Sequence, residues 1–277
     1  MPKDLLVNLA VDKQRDVAAD VALALAEKFG AHVEAVAFAY RVDYPGTVFD
    51  GGMATDLLAA RSEELLKTAT DAQAAFDAKA ARAGLSFSSR VVKLDFSSSA
   101  HYFGQLARTF DLSIVAQAGE EDETALDLIA EAALFESGRP LLVVPYIQRD
   151  PLSLDRVAVC WDGSANAARA ANDAMPFLQN AKAVDLVTVT SAREPAKALP
   201  EIDILHHLSR YGVKVEGKSI PASDLSVADA VLSYAADSGT TLIVMGGYGH
   251  SRMREFVLGG MTRDILASMT VPILMSH

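Results

Sequence analysis

Two stretches, "LLVNLAVD" at 5–12 and "RVAVCWD" at 156–162, settle the fold, because they are the same sentence written twice. Each is a short apolar run that ends on an aspartate, Asp12 or Asp162, 150 positions apart. Each leads into an alanine-rich segment of helical spacing, "VAADVALALAEKFG" or "AARAANDAMPFLQN", and then into an apolar strand, "AHVEAVAFAY" (31–40) or "KAVDLVTVT" (182–190). A β-α-β unit is therefore repeated, and an internal repeat of this length fixes the domain count before any finer reading.

Outward from these units the copies continue in step. "SFSSRVVKLD" with "SAHYFGQLARTF" corresponds to "VKVEGKSIP" with "SVADAVLSYAADSG", "DLSIVAQAG" (111–119) to "TLIVMGGYG" (241–249), and "RPLLVVPY" (139–146) to "VPILMSH" (271–277). The first copy has a longer middle, residues 43–84, whose apolar spacing predicts a loop followed by one long helix. Continuous Val, Ile and Leu strands alternating with helices belong to parallel sheets covered on both faces. The expectation is an α/β protein of two tandem doubly wound domains, each with a mainly parallel five-stranded sheet flanked by helices. The domains are 1–147 and 154–277, joined through "IQRDPLSLD" (147–155), where Pro151 and charges interrupt the apolar pattern.

Composition narrows the function. The 277 residues are 51% hydrophobic with a mean hydropathy of +0.19, the mark of a well-packed globular chain. A net charge of −11 argues against a nucleic-acid partner, since phosphate neutralisation needs clustered Lys and Arg. The single cysteine, Cys160, forms no intramolecular disulfide and fits a reducing compartment; it lies in an apolar strand as an inert core thiol. No run of about 18 apolar residues offers a membrane span, and the N-terminus lacks a secretory pattern, so the expected location is the cytoplasm.

The chemistry concentrates in "LIVMGGYGHSRMREFVLGGMTRD" (242–264), with glycines at 246, 247, 249, 259 and 260. Ligands of open parallel sheets sit beyond the carboxyl ends of the strands at a topological switch point, and Asp162 and Gly246 both end such strands. Glycines there let backbone amides close on an anion, and a helix beginning near Gly260 adds its unpaired N–H groups. Arg252, Arg254, Arg263 and His250 gather positive charge around this stretch. Met261, Ile265, Leu266 and Met269 form the apolar stripe expected to bury that helix. Ser164 and Ser226 with Asp229 read as helix caps. His206 and His207 are adjacent on a helix and point apart, so they share no metal.

Gly246, Gly249 and Gly259, spaced G-x-x-G-nine-G, together with "VAVCWDGS" and the closing "TVPILMSH", resemble the universal stress protein family in its tandem-domain form. The resemblance implies a regulatory protein that binds ATP, or a related adenine nucleotide, with or without Mg²⁺, and performs no more than slow, incidental hydrolysis. It implies that Asp162 contacts adenine or ribose, that Val189 lies where backbone meets adenine, and that Gly246, Gly249 and Gly259 wrap the phosphates. In this sequence Gly260 stands where the family carries Ser or Thr, leaving Thr262 as the nearest hydroxyl, and Arg252 as a candidate phosphate contact. The N-terminal copy keeps Asp12 but places Glu120, Glu121, Asp122 and Glu123 beside Gly119, which would repel a triphosphate, so its pocket is expected to be degenerate. The family also implies that "PLLVVPY" and "VPILMSH" pair as edges of an intramolecular pseudo-dimer, with a homodimer as a further assembly.

Two other functions compete. One is a stress protein that leaves both pockets empty and acts through protein contacts with a partner the sequence does not name. The other is an adenylating or flavin enzyme on a similar scaffold, against which stand the absence of S-G-G-x-D-S, of G-x-G-x-x-G after the first strand and of the P-loop G-x-x-x-x-G-K-[ST].

Overall fold

The computed structural model describes residues 1–11, 15–41, 52–118, 123–190, 201–221, 226–247 and 260–277. The chain divides into two compact units, Pro2–Ser137 and Gly138–His277. The first unit runs β1 (Asp4–Asn8), α1 (Val17–Phe29), β2 (His32–Tyr40), α2 (Gly52–Arg82), β3 (Phe87–Leu94), α3 (Phe96–Ala107), β4 (Leu112–Ala116) and α4 (Glu123–Glu136). The second runs β5 (Leu141–Val144), β6 (Arg156–Cys160), α5 (Ala165–Asp173), α6 (Met175–Leu178), β7 (Ala183–Thr190), α7 (Glu201–Arg210), β8 (Val215–Pro221), α8 (Val227–Ser238), β9 (Leu242–Gly246), α9 (Gly260–Ser268) and β10 (Ile273–Ser276).

The strand order β3-β2-β1-β4 of the first unit is repeated as β8-β7-β6-β9 in the second, and every one of these pairings is parallel. β10 continues the second sheet parallel to β9. The tandem doubly wound α/β architecture expected from the repeat is present, including the long helix α2, Gly52–Arg82, within the extended middle segment. Leu5, Leu6 and Val7 of β1 and Leu242, Ile243 and Val244 of β9 are fully buried, as strands covered on both faces must be.

β5, the closing strand of the first copy, pairs antiparallel with β10 in the register Ile273↔Val143, Leu274↔Leu142, Met275↔Leu141. The two closing strands thus meet as the family resemblance implies. The compact units divide at Ser137/Gly138, ahead of residue 147, because β5 takes this ladder within the second unit. Within the first unit Gly104 has a packing reason: a Cβ there would lie 2.8 Å from the Ala132 carbonyl oxygen, so its absence sets how closely α3 and α4 pack.

The β-to-α turns share one device. Asp16, Asp95, Ser164 and Ser226 each cap the following helix by accepting a backbone N–H with their side chains. Asp16 accepts from both Ala19 N (2.9 Å) and Ala10 N (2.7 Å), which ties the end of β1's loop to α1. Burial pushes its carboxyl up to about 6, and the two N–H donors oppose that rise only in part. An acid held above its unfolded value of 3.8 takes up a proton on folding, so its contribution is fully present below that value and is lost as pH rises through about 6. Asp16→Asn should therefore flatten the pH dependence of stability between these limits, by on the order of 2–3 kcal/mol, as checked by urea melts from pH 4 to 7.

The second strand of each repeat copy, β2 or β7, carries a carboxylate inside an apolar run. Glu34, opposite Leu6, and Asp185, opposite Ala158, hold the same place in the repeat. Each is met by an arginine, and a tyrosine bonds the arginine in the first cluster and the carboxylate in the second. Arg90 Nε donates to Glu34 Oε1 at 2.5 Å and its Nη1 to Tyr102 Oη at 3.2 Å. Arg156 Nη1 donates to Asp185 Oδ2 at 2.7 Å, and Tyr234 Oη donates to the same oxygen at 2.9 Å. Burial, then the bond to Asp185, pushes the Tyr234 phenol up to about 12.

Candidate functional site

The switch point of the second unit lies between β6 and β9, which pair as Val157↔Leu242, Ala158↔Ile243 and Val159↔Val244. β7 flanks β6 on its other side, with Cys160↔Val187 as the last paired couple. Trp161 N donates to Val187 O at 2.8 Å and carries the ladder one residue further. Asp162 follows at the carboxyl edge, exposed to solvent, and Gly163 turns the chain with a φ of 76°. Ser164 N donates to Asp162 Oδ1 at 2.9 Å, an Asx turn that orients the carboxylate. Ser164 Oγ then accepts from Ala167 N at 3.1 Å and opens α5. Asp162 and Ser164 are thus parts of one strand-to-helix turn.

Val189 is half-buried two residues beyond Val187 on β7 and pairs with Ile220 of β8. Gly246 ends β9 opposite Ser276 of β10. The structure brings Asp162, Val189 and Gly246 to the carboxyl ends of three adjacent strands.

Gly246 answers to packing. A Cβ on it would stand 2.7 Å from Ala167 N, 2.7 Å from the Asn166 carbonyl carbon and 2.9 Å from Asn166 Cβ. What approaches the Cβ side of this backbone is the first turn of α5. The next amide is also engaged: Gly247 N donates to Ser276 O at 2.8 Å, extending the β9–β10 ladder. Gly247 O accepts from Asn166 Nδ2 at 2.6 Å and lies 3.1 Å from His277 Nδ1. Asn166 and His277, which sequence reasoning missed, therefore fix the point where the glycine stretch leaves the sheet.

The stripe of α9 is corrected. Ile265 and Met269 are buried, but Met261 is 39% exposed and Leu266 is half-buried, and the third inward position is Thr262, 4% exposed. Positions 262, 265 and 269 share one inward helix face, and Thr262 is buried on it. Gly260 is the first residue of α9. Gly249, His250, Arg252, Arg254 and Gly259 lie outside the described residues, as do Asp12 and 119–122 of the first unit.

Cys160 is half-buried, and its thiol is pushed up to about 12 by burial first and by the nearby Asp162 charge second, consistent with an unreactive thiol. Ser226 accepts from Asp229 N at 3.1 Å and donates to Asp229 Oδ2 at 2.8 Å, the expected cap. No group of three His, Cys, Asp or Glu among the described residues is placed to hold a metal, and no described helix is long and apolar enough to cross a membrane.

No family model matches the chain. A curated universal stress protein of Synechocystis sp. (strain PCC 6803) is 25% identical over 174 residues, covering 60% of this chain. This chain is similar to that universal stress protein over the matched residues. The match spans 57% of that universal stress protein's own length. Among solved structures, a universal stress protein from Archaeoglobus fulgidus superposes with a TM-score of 0.67 at 17% identity, over 99% of this chain and 95% of that one. A Pseudomonas aeruginosa protein of unknown function gives 0.60 at 13% identity, over 99% and 92%. At these identities the two solved structures speak for the universal stress fold over the whole chain.

Proposed function

We propose that the second unit binds ATP, or a related adenine nucleotide, as a regulatory ligand of a cytoplasmic universal stress protein, with or without Mg²⁺. The observation that carries this reading is the exposed Asp162 carboxylate, oriented by the Ser164 N–H at 2.9 Å, at the switch point between β6 and β9. A carboxylate held there accepts from ribose hydroxyls, while the half-buried end of β7 at Val189 offers an apolar edge to the base. Gly249, Gly259, Gly260 and Arg252 are the proposed phosphate contacts. Gly246 belongs to the site by shaping its floor, and Thr262 supplies no hydroxyl. No turnover is required of such a ligand: its binding free energy alone biases the protein.

The competing reading is a universal stress protein that works through protein contacts alone. It draws support from the engagement of the Gly247 amide by Ser276 and from the inward turn of Thr262, which together remove two groups a phosphate would use. Calorimetry with ATP decides between them. Asp162→Ala should weaken ATP by roughly 10- to 100-fold, the worth of a hydrogen bond to a charged group. Absence of heat at millimolar ATP, with no nucleotide absorbance in the purified protein, would establish the contact-only reading.

A further inference from the structure

A polar relay with no counterpart in the functional reading above lies at the amino-terminal edge of the first unit's sheet. β2 and β3 pair in the register Val33↔Phe87 and Glu34↔Ser88. His32 and Glu34 stand two apart on β2 and face one side of the sheet, and Ser86 and Ser88 do the same beside them. His32 Nδ1 lies 2.8 Å from Ser86 Oγ, and its Nε2 lies 3.0 Å from Ser88 Oγ. Ser88 Oγ is in turn bonded to Glu34 Oε2, and Glu34 Oε1 is held by Arg90.

The direction of each bond follows from the last one. A carboxylate only accepts, so Ser88 spends its single proton on Glu34. At His32 Nε2 Ser88 must then accept, which places the imidazole proton on Nε2. Nδ1 of the neutral ring is left as an acceptor, and Ser86 donates its hydroxyl proton to it. The buried Glu34, 6% exposed, thereby fixes the tautomer in which His32 serves as a base toward Ser86.

Ser86 is exposed and opens onto a cleft of about 480 Å³, lined also by Lys3, Glu27, Gly30, His32 and Gly84. Gly30 and Gly84, the left-handed ends of α1 and α2, carry no side chain to close it. The Lys3 ammonium lines the same cleft and has no hydrogen-bond or ion-pair partner among the described residues. It is a cation available to an oxygen that gains charge there.

We propose that Ser86 is an activated nucleophile that accepts an acyl group from an activated ester or thioester, with His32 as its general base. Ser86 Oγ bonds to the acyl carbon as its proton passes to His32 Nδ1. The tetrahedral oxyanion is offset by Lys3, the bond to the leaving alkoxide or thiolate breaks, and His32 returns the proton to that leaving group. No redox partner is involved. Ser88 and Glu34 act as positioning residues, because each holds the imidazole through its neighbour and touches no reacting atom.

Incubating the full chain with p-nitrophenyl acetate tests this. One acetyl group should map to Ser86 by peptide mass spectrometry, with a matching burst of p-nitrophenolate, and Ser86→Ala, an exposed site that folding tolerates, should remove both. His32→Gln should slow the acylation by about 10²-fold or more and abolish its pH dependence. Ser88→Ala should leave the adduct on Ser86 and alter the pH profile. Acetyl groups confined to Lys3 or the α-amine, or an unchanged rate in His32→Gln with an unchanged circular dichroism spectrum, would overturn the assignment. ATP calorimetry on the same variants reads the other unit's site independently.

Discussion

Gly246→Val should cost the second unit more than about 3 kcal/mol, seen as a loss or large shift of its transition in urea melts of the full chain. Overpacking a core usually costs about 1–3 kcal/mol, because side chains find other rotamers. Here the atoms met first are the Ala167 amide nitrogen and the Asn166 carbonyl carbon, both at 2.7 Å, and backbone has no rotamer to change. α5 would have to withdraw from β9. Withdrawal would strain the Asn166 bond to Gly247 O and the Arg169 bond to His277 O, at 2.6 and 2.9 Å, which hold the same corner. Gly246→Ala places only the Cβ there and should fall within the usual 1–3 kcal/mol range. An unchanged urea midpoint for Gly246→Val would mean that α5 is free to move and that the close approach has no energetic weight. The expected instability also governs how the nucleotide proposal is tested: loss of ATP binding in a Gly246 variant would report folding, whereas Asp162→Ala alters an exposed carboxylate and leaves the packing alone.

The β-α-β repeat was legible because it is written in long-range periodicity. Buried parallel strands need continuous apolar runs, and the spacing of two such runs with a helix between them leaves few topologies. The pairing of "PLLVVPY" with "VPILMSH" was legible only as what the family resemblance implies, since apolar edge strands alone name no partner. The face of α9 was not. A stripe drawn through Met261, Ile265, Leu266 and Met269 differs by a fraction of a turn from one drawn through Thr262, Ile265 and Met269, and hydrophobicity alone favours the first. Which face meets the sheet is set by packing, and the sequence marks Thr262 with no signal of its own.

Gly246 shows a second limit. A glycine after a strand has the same letter whether a ligand or a helix approaches its backbone, and the structure identifies the first turn of α5. The buried acids were missed although a signal existed: "HVEAVAFAY" and "AVDLVTVT" each interrupt an apolar strand with a carboxylate at the third position, and the repeat places both at one register. An acid at the same buried place in two copies of one plan requires a cation nearby. Their partners come from different places, Arg90 from β3 and Arg156 from β6, so no fixed spacing announces the pair.

That difference makes Arg156→Met informative. Asp185 has a side chain only 2% exposed, and removing Arg156 leaves its charge with the Tyr234 hydroxyl as its remaining hydrogen-bond donor among the described contacts. Breaking a buried pair by deleting one partner costs about 3–5 kcal/mol, because the surviving charge is uncompensated. Arg156 is itself 37% exposed, so water supplies part of what it provided, and the expected loss is about 2–4 kcal/mol at neutral pH. The double variant Asp185→Leu, Arg156→Met should recover most of the loss, because replacing both partners by apolar groups of similar size leaves no buried charge. Thermal and urea melts of the three proteins at pH 7 separate these outcomes. If Arg156→Met were as stable as the parent, the arginine would be a bystander and, among the described contacts, Asp185 would be held by Tyr234 alone.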